Sequence, residues 1–302
     1  MRHRAAVIGT FDGVHLGHAA VLSALLNEAE ARNLEPTAIT FDRHPLSLID
    51  PAREPEAITT THRKEELIRK TGANPLVLPF DDKLRATTAA EWMKFLKDSY
   101  DVELLVVGYD TTFGCDGLSY SISGYKKLGE ENGIEVIEAP FVAGISSSAI
   151  RKAIREGDVC HASEMLGRHF SLSGITVGGN RLGRTIGFPT ANIVPAPGII
   201  IPANGVYAAK ATLPDGSHVG AMVNIGTRPT IMRGNDRTVE AHLIGWEGDL
   251  YGKGLTIAFV SRLRDEARFN SIDALRRQLE KDRRETGQIL EKEGKQPSAA
   301  NF

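Results

Sequence analysis

The sequence predicts an α/β chain in two parts: a parallel sheet flanked by helices, then an antiparallel β-barrel that ends in a helix. Three observations carry this. Up to about residue 156, short apolar runs take turns with amphipathic helical segments, the pattern of a parallel sheet covered on both faces. After residue 170 the pattern changes to short alternating or β-branched runs separated by turn signals such as Pro214-Asp215-Gly216, as in a closed or nearly closed antiparallel barrel. A charged amphipathic segment, Ser271 to Glu291, then closes the chain as a helix whose Ile272, Leu275 and Leu279 are expected to face the barrel. A length of 302 residues suits two domains. We place them at 1–158 and 159–302, joined by a short helical connector.

Composition narrows the function classes. A hydrophobic content of 41% with 25% charged residues is that of a soluble globular protein. The net charge of -2 gives no reason to expect nucleic acid or an anionic membrane as partner. No apolar run approaches the ~20 residues that span a bilayer, and the apolar stretch after Met1-Arg2-His3-Arg4 is too short for a secretory signal. Cys115 and Cys160 belong to no metal-like cluster and read as two free thiols of a cytoplasmic protein, although a pair is not excluded.

In order, strands are expected at Ala5–Ile8, Thr37–Phe41, Leu76–Phe80, Leu104–Gly108 and Ile134–Ala139, with helices near 17–33, 62–71, 88–98 and 121–132. The first strand runs into Gly9-Thr10-Phe11-Asp12-Gly13-Val14-His15-Leu16-Gly17-His18. A strand, a glycine-bearing turn and a helix start together aim backbone N–H groups and a positive dipole end at an anion. His15 and His18 are three apart, so a helix starting near Leu16 lets both face its open first turn. Imidazole donors there favour the charge that builds on an attacked phosphate. The plainer alternative is a turn with two surface histidines.

Three later stretches of this half look chemical. Phe41-Asp42-Arg43-His44-Pro45 closes the second strand and points His44 into the same crevice, or simply makes a turn. Gly108-Tyr109-Asp110 and Phe113-Gly114 close a later strand. In Ile145-Ser146-Ser147-Ser148-Ala149-Ile150-Arg151 the serines read as an N-cap, with hydroxyls, free N–H groups and Arg151 offered to a phosphate. A Glu156-Gly157-Asp158 break and a helix ending at Gly167 follow.

The second half has strand-like runs at 170–177, 205–212, 218–225, 238–245 and 254–261. Gly178-Gly179-Asn180-Arg181-Leu182-Gly183-Arg184 is a glycine-rich loop that lets backbone approach a polyphosphate. In the extended stretch that follows, Thr190 and Asn192 share a face, and neutral oxygens of that kind suit Mg²⁺. Glu240, in Val239-Glu240-Ala241-His242-Leu243, is either a general base for an alcohol nucleophile or an ordinary solvated acid. His242 shares its face and is given no role.

These strings together resemble a family. The opening motif resembles the HxGH signature of nucleotidyltransferases, and its longer form that of bacterial bifunctional riboflavin kinase/FAD synthetases. Ile145–Arg151 resembles the ISSxxIR motif that holds the ATP triphosphate, and Phe41–Pro45 an FxPHP motif, with Arg43 where proline is usual. Residues 108–118 resemble a GxDFxFG segment, with Thr112 and its neighbours replacing the usual Phe-plus-basic pattern. Gly183–Ile193 resembles the flavokinase signature, in which Thr190 and Asn192 match metal and nucleotide ligands. Asn224–Thr230, Glu240–Gly252 and Arg262–Phe269 resemble its NIGxxPT, ExHLxxxxxDLYG and C-terminal segments.

The resemblance implies ATP-dependent phosphorylation of riboflavin to FMN in the barrel and adenylylation of FMN to FAD, with release of pyrophosphate, in the first half. It implies His15 and His18 as catalytic residues of the first half and Glu240 as the base of the second. Substrate contacts are then expected from Gly9, Phe11, Asp12, Gly17, His44, Asp110, Ser146, Ser147, Ser148 and Arg151, and in the barrel from Gly183, Arg184, Thr190 and Asn192. Mg²⁺ is the implied cofactor, ATP the co-substrate, and a monomer or weak homo-oligomer the implied state. The rivals are a riboflavin kinase whose first half is inactive or takes another phosphomonoester, and a non-catalytic flavin or nucleotide binder.

Overall fold

The computed structural model describes residues 3–108, 111–178, 182–227 and 237–295. The chain divides into two compact units, residues 1–147 and 148–301.

In the first unit, β1 (Arg4–Ile8), β2 (Glu35–Phe41), β3 (Asn74–Leu78), β4 (Val102–Val107) and β5 (Glu135–Glu138) form a parallel sheet in the order β3-β2-β1-β4-β5. The helices between them are α1 (Leu16–Arg32), α2 (Leu46–Ile49), α3 (Thr61–Thr71), α4 (Asp82–Ala86), α5 (Ala89–Tyr100) and α6 (Ile122–Glu131). Successive side chains of a strand point to opposite faces, and both faces here are apolar. Ala5 and Val7 pack with Leu22, Leu25 and Leu67 of α1 and α3. Ala6 and Ile8 pack with Trp92, Met93 and Leu96 of α5 and Tyr125 of α6. The expected strands and helices of this half are all present. The chain builds outward from β1 in one direction to β3, then restarts on β1's other side with β4, so the switch point lies between the carboxyl ends of β1 and β4, where such sheets bind ligands.

The second unit starts in α7 (Ser147–Glu156), breaks at Gly157 with φ +80°, and continues in α8 (Val159–Leu166), which stops at Gly167 in the left-handed conformation. There follow β6 (Ser171–Val177), α9 (Leu182–Thr185), β7 (Ala191–Pro195), β8 (Gly205–Thr212), β9 (His218–Thr227), β10 (Arg237–Leu243), β11 (Gly254–Arg264) and α10 (Ile272–Lys295). The strands close a barrel in the order β10-β7-β6-β11-β8-β9. The five runs expected from sequence are there. The strand that completes the closure is β7, the extended stretch that carries Asn192.

The C-terminal helix forms as expected, with one correction. Ile272 is 62% exposed and does not face the barrel. The inward stripe instead runs from Leu275 and Leu279 through Asp282 and Thr286 at helical spacing, with the last two fully buried. The Asp282 carboxylate accepts from Arg264 Nε at 3.0 Å and Nη2 at 2.7 Å, and from Gln278 Nε2 at 2.7 Å. Removing one member of a buried pair strands the other charge. Asp282→Ala is therefore expected to lower barrel stability by about 3 kcal/mol or more. Urea melts check this, and a loss below about 1 kcal/mol would mean water screens the pair.

Candidate active sites

At the carboxyl end of β1 the chain turns through Phe11 (φ 48°), Gly13 (φ 82°) and Val14 (φ 38°) before α1 begins at Leu16. Left-handed backbone at two non-glycine residues is held by partners that fix the loop. The Asp12 carboxylate is 7% exposed and accepts from the N–H groups of Ile58 at 2.9 Å and Thr59 at 3.1 Å. Phe11 is 2% exposed and sits in the core. Both side chains hold the loop in place.

His15 and His18 cap α1 reciprocally. His15 Nδ1 accepts from His18 N–H at 3.2 Å, and His18 Nδ1 from His15 N–H at 3.4 Å. The rings stack with centroids 3.6 Å apart and planes at 16°. A backbone N–H can only donate, so both Nδ1 atoms are unprotonated and each ring's proton is on Nε2. Two neutral imidazoles thereby become parallel N–H donors at a helix N-terminus. Gly17 is part of this: a Cβ there would lie 3.1 Å from the His15 ring. At Gly9 a Cβ would press on the Phe11 ring at 3.2 Å.

Ser147 donates from Oγ to Asp12 O at 2.9 Å, within the first unit. Ser146 and Ser148 are exposed, and Arg151, one turn on from Ser147, is 6% exposed. His44 Nδ1 accepts from Leu46 N–H at 3.2 Å, so its proton also resides on Nε2. Asp110 lies outside the described residues.

Lys64 of α3 was not foreseen. Its ammonium, 8% exposed, donates to Thr10 O at 3.1 Å and Phe41 O at 2.8 Å, joining the ends of β1 and β2. Burial lowers its pKa to about 8, outweighing the pull of Asp12, Asp42 and Glu65. Between pH 8 and the ordinary value of 10.5 the folded chain has released a proton that the unfolded chain still holds, so stability rises with pH in that window. The wild type is therefore expected to gain on Lys64→Met by roughly 1.4 kcal/mol per pH unit there. A stability difference that stays flat across the window would refute it.

In the barrel, the strand register assembles the second set. Glu240 on β10 stands directly opposite Asn192 on β7 and Asn224 on β9. A cavity of about 360 Å³ is lined by Thr190, Asn224, Glu240 and His242 at its polar side and by Val206, Met222, Leu275 and Leu279 elsewhere. A second, of about 580 Å³, is lined by Gly178, Pro189, Thr190, Trp246, Asp249 and Tyr251. Thr190 lines both. Asn192 is 8% exposed. Gly183 is needed by the turn itself, because a Cβ would come within 2.1 Å of Phe188 O. The Arg184 side chain lies outside the described residues.

His242, given no role from sequence, is 8% exposed, and its Nδ1 is 2.8 Å from Pro189 O. A carbonyl only accepts, so Nδ1 carries the proton. Burial, with Arg283 nearby, holds this imidazole below the ordinary histidine range in spite of that carbonyl. Arg264 and Glu266 line the 360 Å³ cavity as well.

Residues 1–151 match the family model for FAD synthetase, and residues 166–290 match that for riboflavin kinase. The bifunctional riboflavin kinase/FMN adenylyltransferase of Escherichia coli (strain K12) is 36% identical over 91% of this chain and 89% of its own. That of Bacillus subtilis (strain 168) is 34% identical over 92% and 90%. A crystal structure described as a macrolide-efflux protein from Streptococcus pneumoniae has a TM-score of 0.85 at 29% identity, covering 95% of both chains. Among the described residues of the present chain, no helix is long and apolar enough to cross a membrane.

Proposed function

Because the chain belongs to the bifunctional riboflavin kinase/FMN adenylyltransferase family, we propose how its residues divide the two reactions, with adenylyl transfer assigned to 1–158 and phosphorylation to 159–302. The enzyme makes FMN from riboflavin and ATP, and FAD from FMN and ATP.

In the barrel, the flavin takes the 360 Å³ cavity, whose lining includes Gly183, and ATP the 580 Å³ one, with Arg184 assigned to the nucleotide. The observation that carries this is the position of Thr190, shared by both cavities, with Asn192 and Glu240 paired across neighbouring strands. Glu240 takes the proton of the ribityl 5′-hydroxyl. The freed oxygen forms a bond to the γ-phosphorus as the bond to ADP breaks. The Thr190 hydroxyl and Asn192 amide oxygen, both hard neutral donors, fit Mg²⁺. When bound, the ion would neutralise charge on the phosphates.

The first half needs no base. A phosphomonoester with a second pKa near ~6 is mostly dianionic at pH 7. An FMN phosphate oxygen attacks the α-phosphorus of ATP, and pyrophosphate leaves. The Nε2–H groups of His15 and His18 donate to the charge that develops, while Gly9 and Gly17 keep the backbone close. Ser146, Ser147, Ser148 and Arg151 supply hydroxyl, N–H and guanidinium donors for the triphosphate, and His44 and Asp110 complete the expected contacts. Asp12 and Phe11 position the loop. Free Cys115 and Cys160 are in keeping with a cytoplasmic enzyme.

A chromatographed time course with riboflavin and Mg-ATP tests this. FMN is expected to rise first and then fall as FAD and pyrophosphate accumulate. Supplying FMN and Mg-ATP alone must still give FAD. Absence of FAD there would leave only the kinase.

A further inference from the structure

We propose that His242 is a substrate-binding residue of the kinase, its Nε2 accepting a hydrogen bond from a hydroxyl of the ribityl chain. This rests on the reading that the 360 Å³ cavity takes the flavin.

The ring is nine-tenths buried and lines that cavity alone of the two. With Nδ1–H given to Pro189 O, the neutral ring keeps its lone pair on Nε2, which has no hydrogen-bond partner among the described residues and is not sealed from solvent. The site therefore contains an acceptor that asks for a donor. Its place says which one. Glu240 and His242 are two apart on β10 and share a face, about 7 Å from one another along the strand. Across on β9 their partners are Asn224 and Met222, so the lining passes from polar to apolar in the same direction. A polyol whose terminal hydroxyl meets Glu240 and whose flavin ring lies among Met222, Leu275 and Leu279 carries its inner hydroxyls past His242. A chain without hydroxyls would cover Nε2 and leave it without the partner that water supplies in the open cavity, which discriminates more sharply than apolar fit does.

The competing role is structural, since His242 also holds Pro189, next to Thr190. Two variants separate the roles. In His242→Asn the amide nitrogen takes the place of Nδ1 and keeps the bond to Pro189, but nothing reaches the Nε2 position. In His242→Gln an amide oxygen reaches the Nε2 position and the donor to Pro189 is lost. Binding of riboflavin and of lumiflavin, the same ring without the polyol, is followed by flavin fluorescence, alongside the KM for ATP. His242→Asn is expected to weaken riboflavin about tenfold, with lumiflavin and the KM for ATP unchanged, and His242→Gln to recover most of the loss.

A wild-type-like Asn variant beside an impaired Gln variant overturns the proposal. So does equal weakening of both flavins. On the wild type alone, one of the 2′-, 3′- and 4′-deoxy analogues of riboflavin should show the same tenfold loss. If all three bind like riboflavin, the proposal fails whatever the variants do. A wild type that binds ATP but neither flavin would instead remove the cavity assignment beneath it.

Discussion

Glu240→Gln lowers the rate of riboflavin phosphorylation by about 10²–10⁴-fold, the usual worth of a positioned base, while conversion of FMN to FAD proceeds at the wild-type rate. A primary alcohol holds its proton at neutral pH, so the barrel reaction gains from a carboxylate within reach of it. Glutamine keeps the side chain's length and one acceptor oxygen, and the strand pairs with Asn192 and Asn224 use backbone groups that the substitution leaves alone. Flavin and ATP binding are therefore expected to stay near normal, so the loss appears in kcat and not in KM. Initial rates with riboflavin and with FMN, each with Mg-ATP, give the two arms. If the variant phosphorylates riboflavin at more than about a tenth of the wild-type rate, the base lies elsewhere. Glu266, the second carboxylate on the same cavity, is then the residue to change.

What could be read in advance follows from how far apart the cooperating residues are in sequence. His15, Gly17 and His18 are legible because their geometry is local: three residues around a helix start fix one another through their own backbone. The pairing of Glu240 with Asn192 was reachable only in part, since alternation gives the face but not the neighbouring strand. β7 is short and ends in proline, so its own signal is weak, and barrel closure makes it a strand. Lys64 gave no signal at all. It sits in Thr61-His62-Arg63-Lys64-Glu65-Glu66, where every neighbour suggests a solvated helix, and only the docking of α3 over the ends of β1 and β2 buries it. Ile272 fails for the opposite reason: it fits the helical period but lies in the first turn, beyond the barrel surface that Leu275 begins to cover. For Asp12, sequence marks the loop but not the carboxylate's partners, because Ile58 and Thr59 are more than forty residues away.

His18→Ala lowers the rate of FAD formation from FMN by about 10²–10³-fold, in line with the loss of one donor aimed at a developing oxyanion, and leaves riboflavin phosphorylation intact. The substitution removes two things at once, because the ring also accepts from His15 N–H and so forms half of the reciprocal cap of α1. Loss of a cap costs stability, typically about 1 kcal/mol, but a cap does not by itself steady a transition state. His18→Asn separates the two. The asparagine side-chain oxygen reaches the same backbone N–H, as short polar side chains do at helix starts, yet its amide ends well short of the position of Nε2. Thermal melts should therefore rank Asn above Ala, while the rates of FAD formation should be equally low in both. Recovery of adenylyl transfer in the Asn variant would mean that His18 serves only to begin the helix, and the donors to the α-phosphate would then have to be His15 and the serines that open α7.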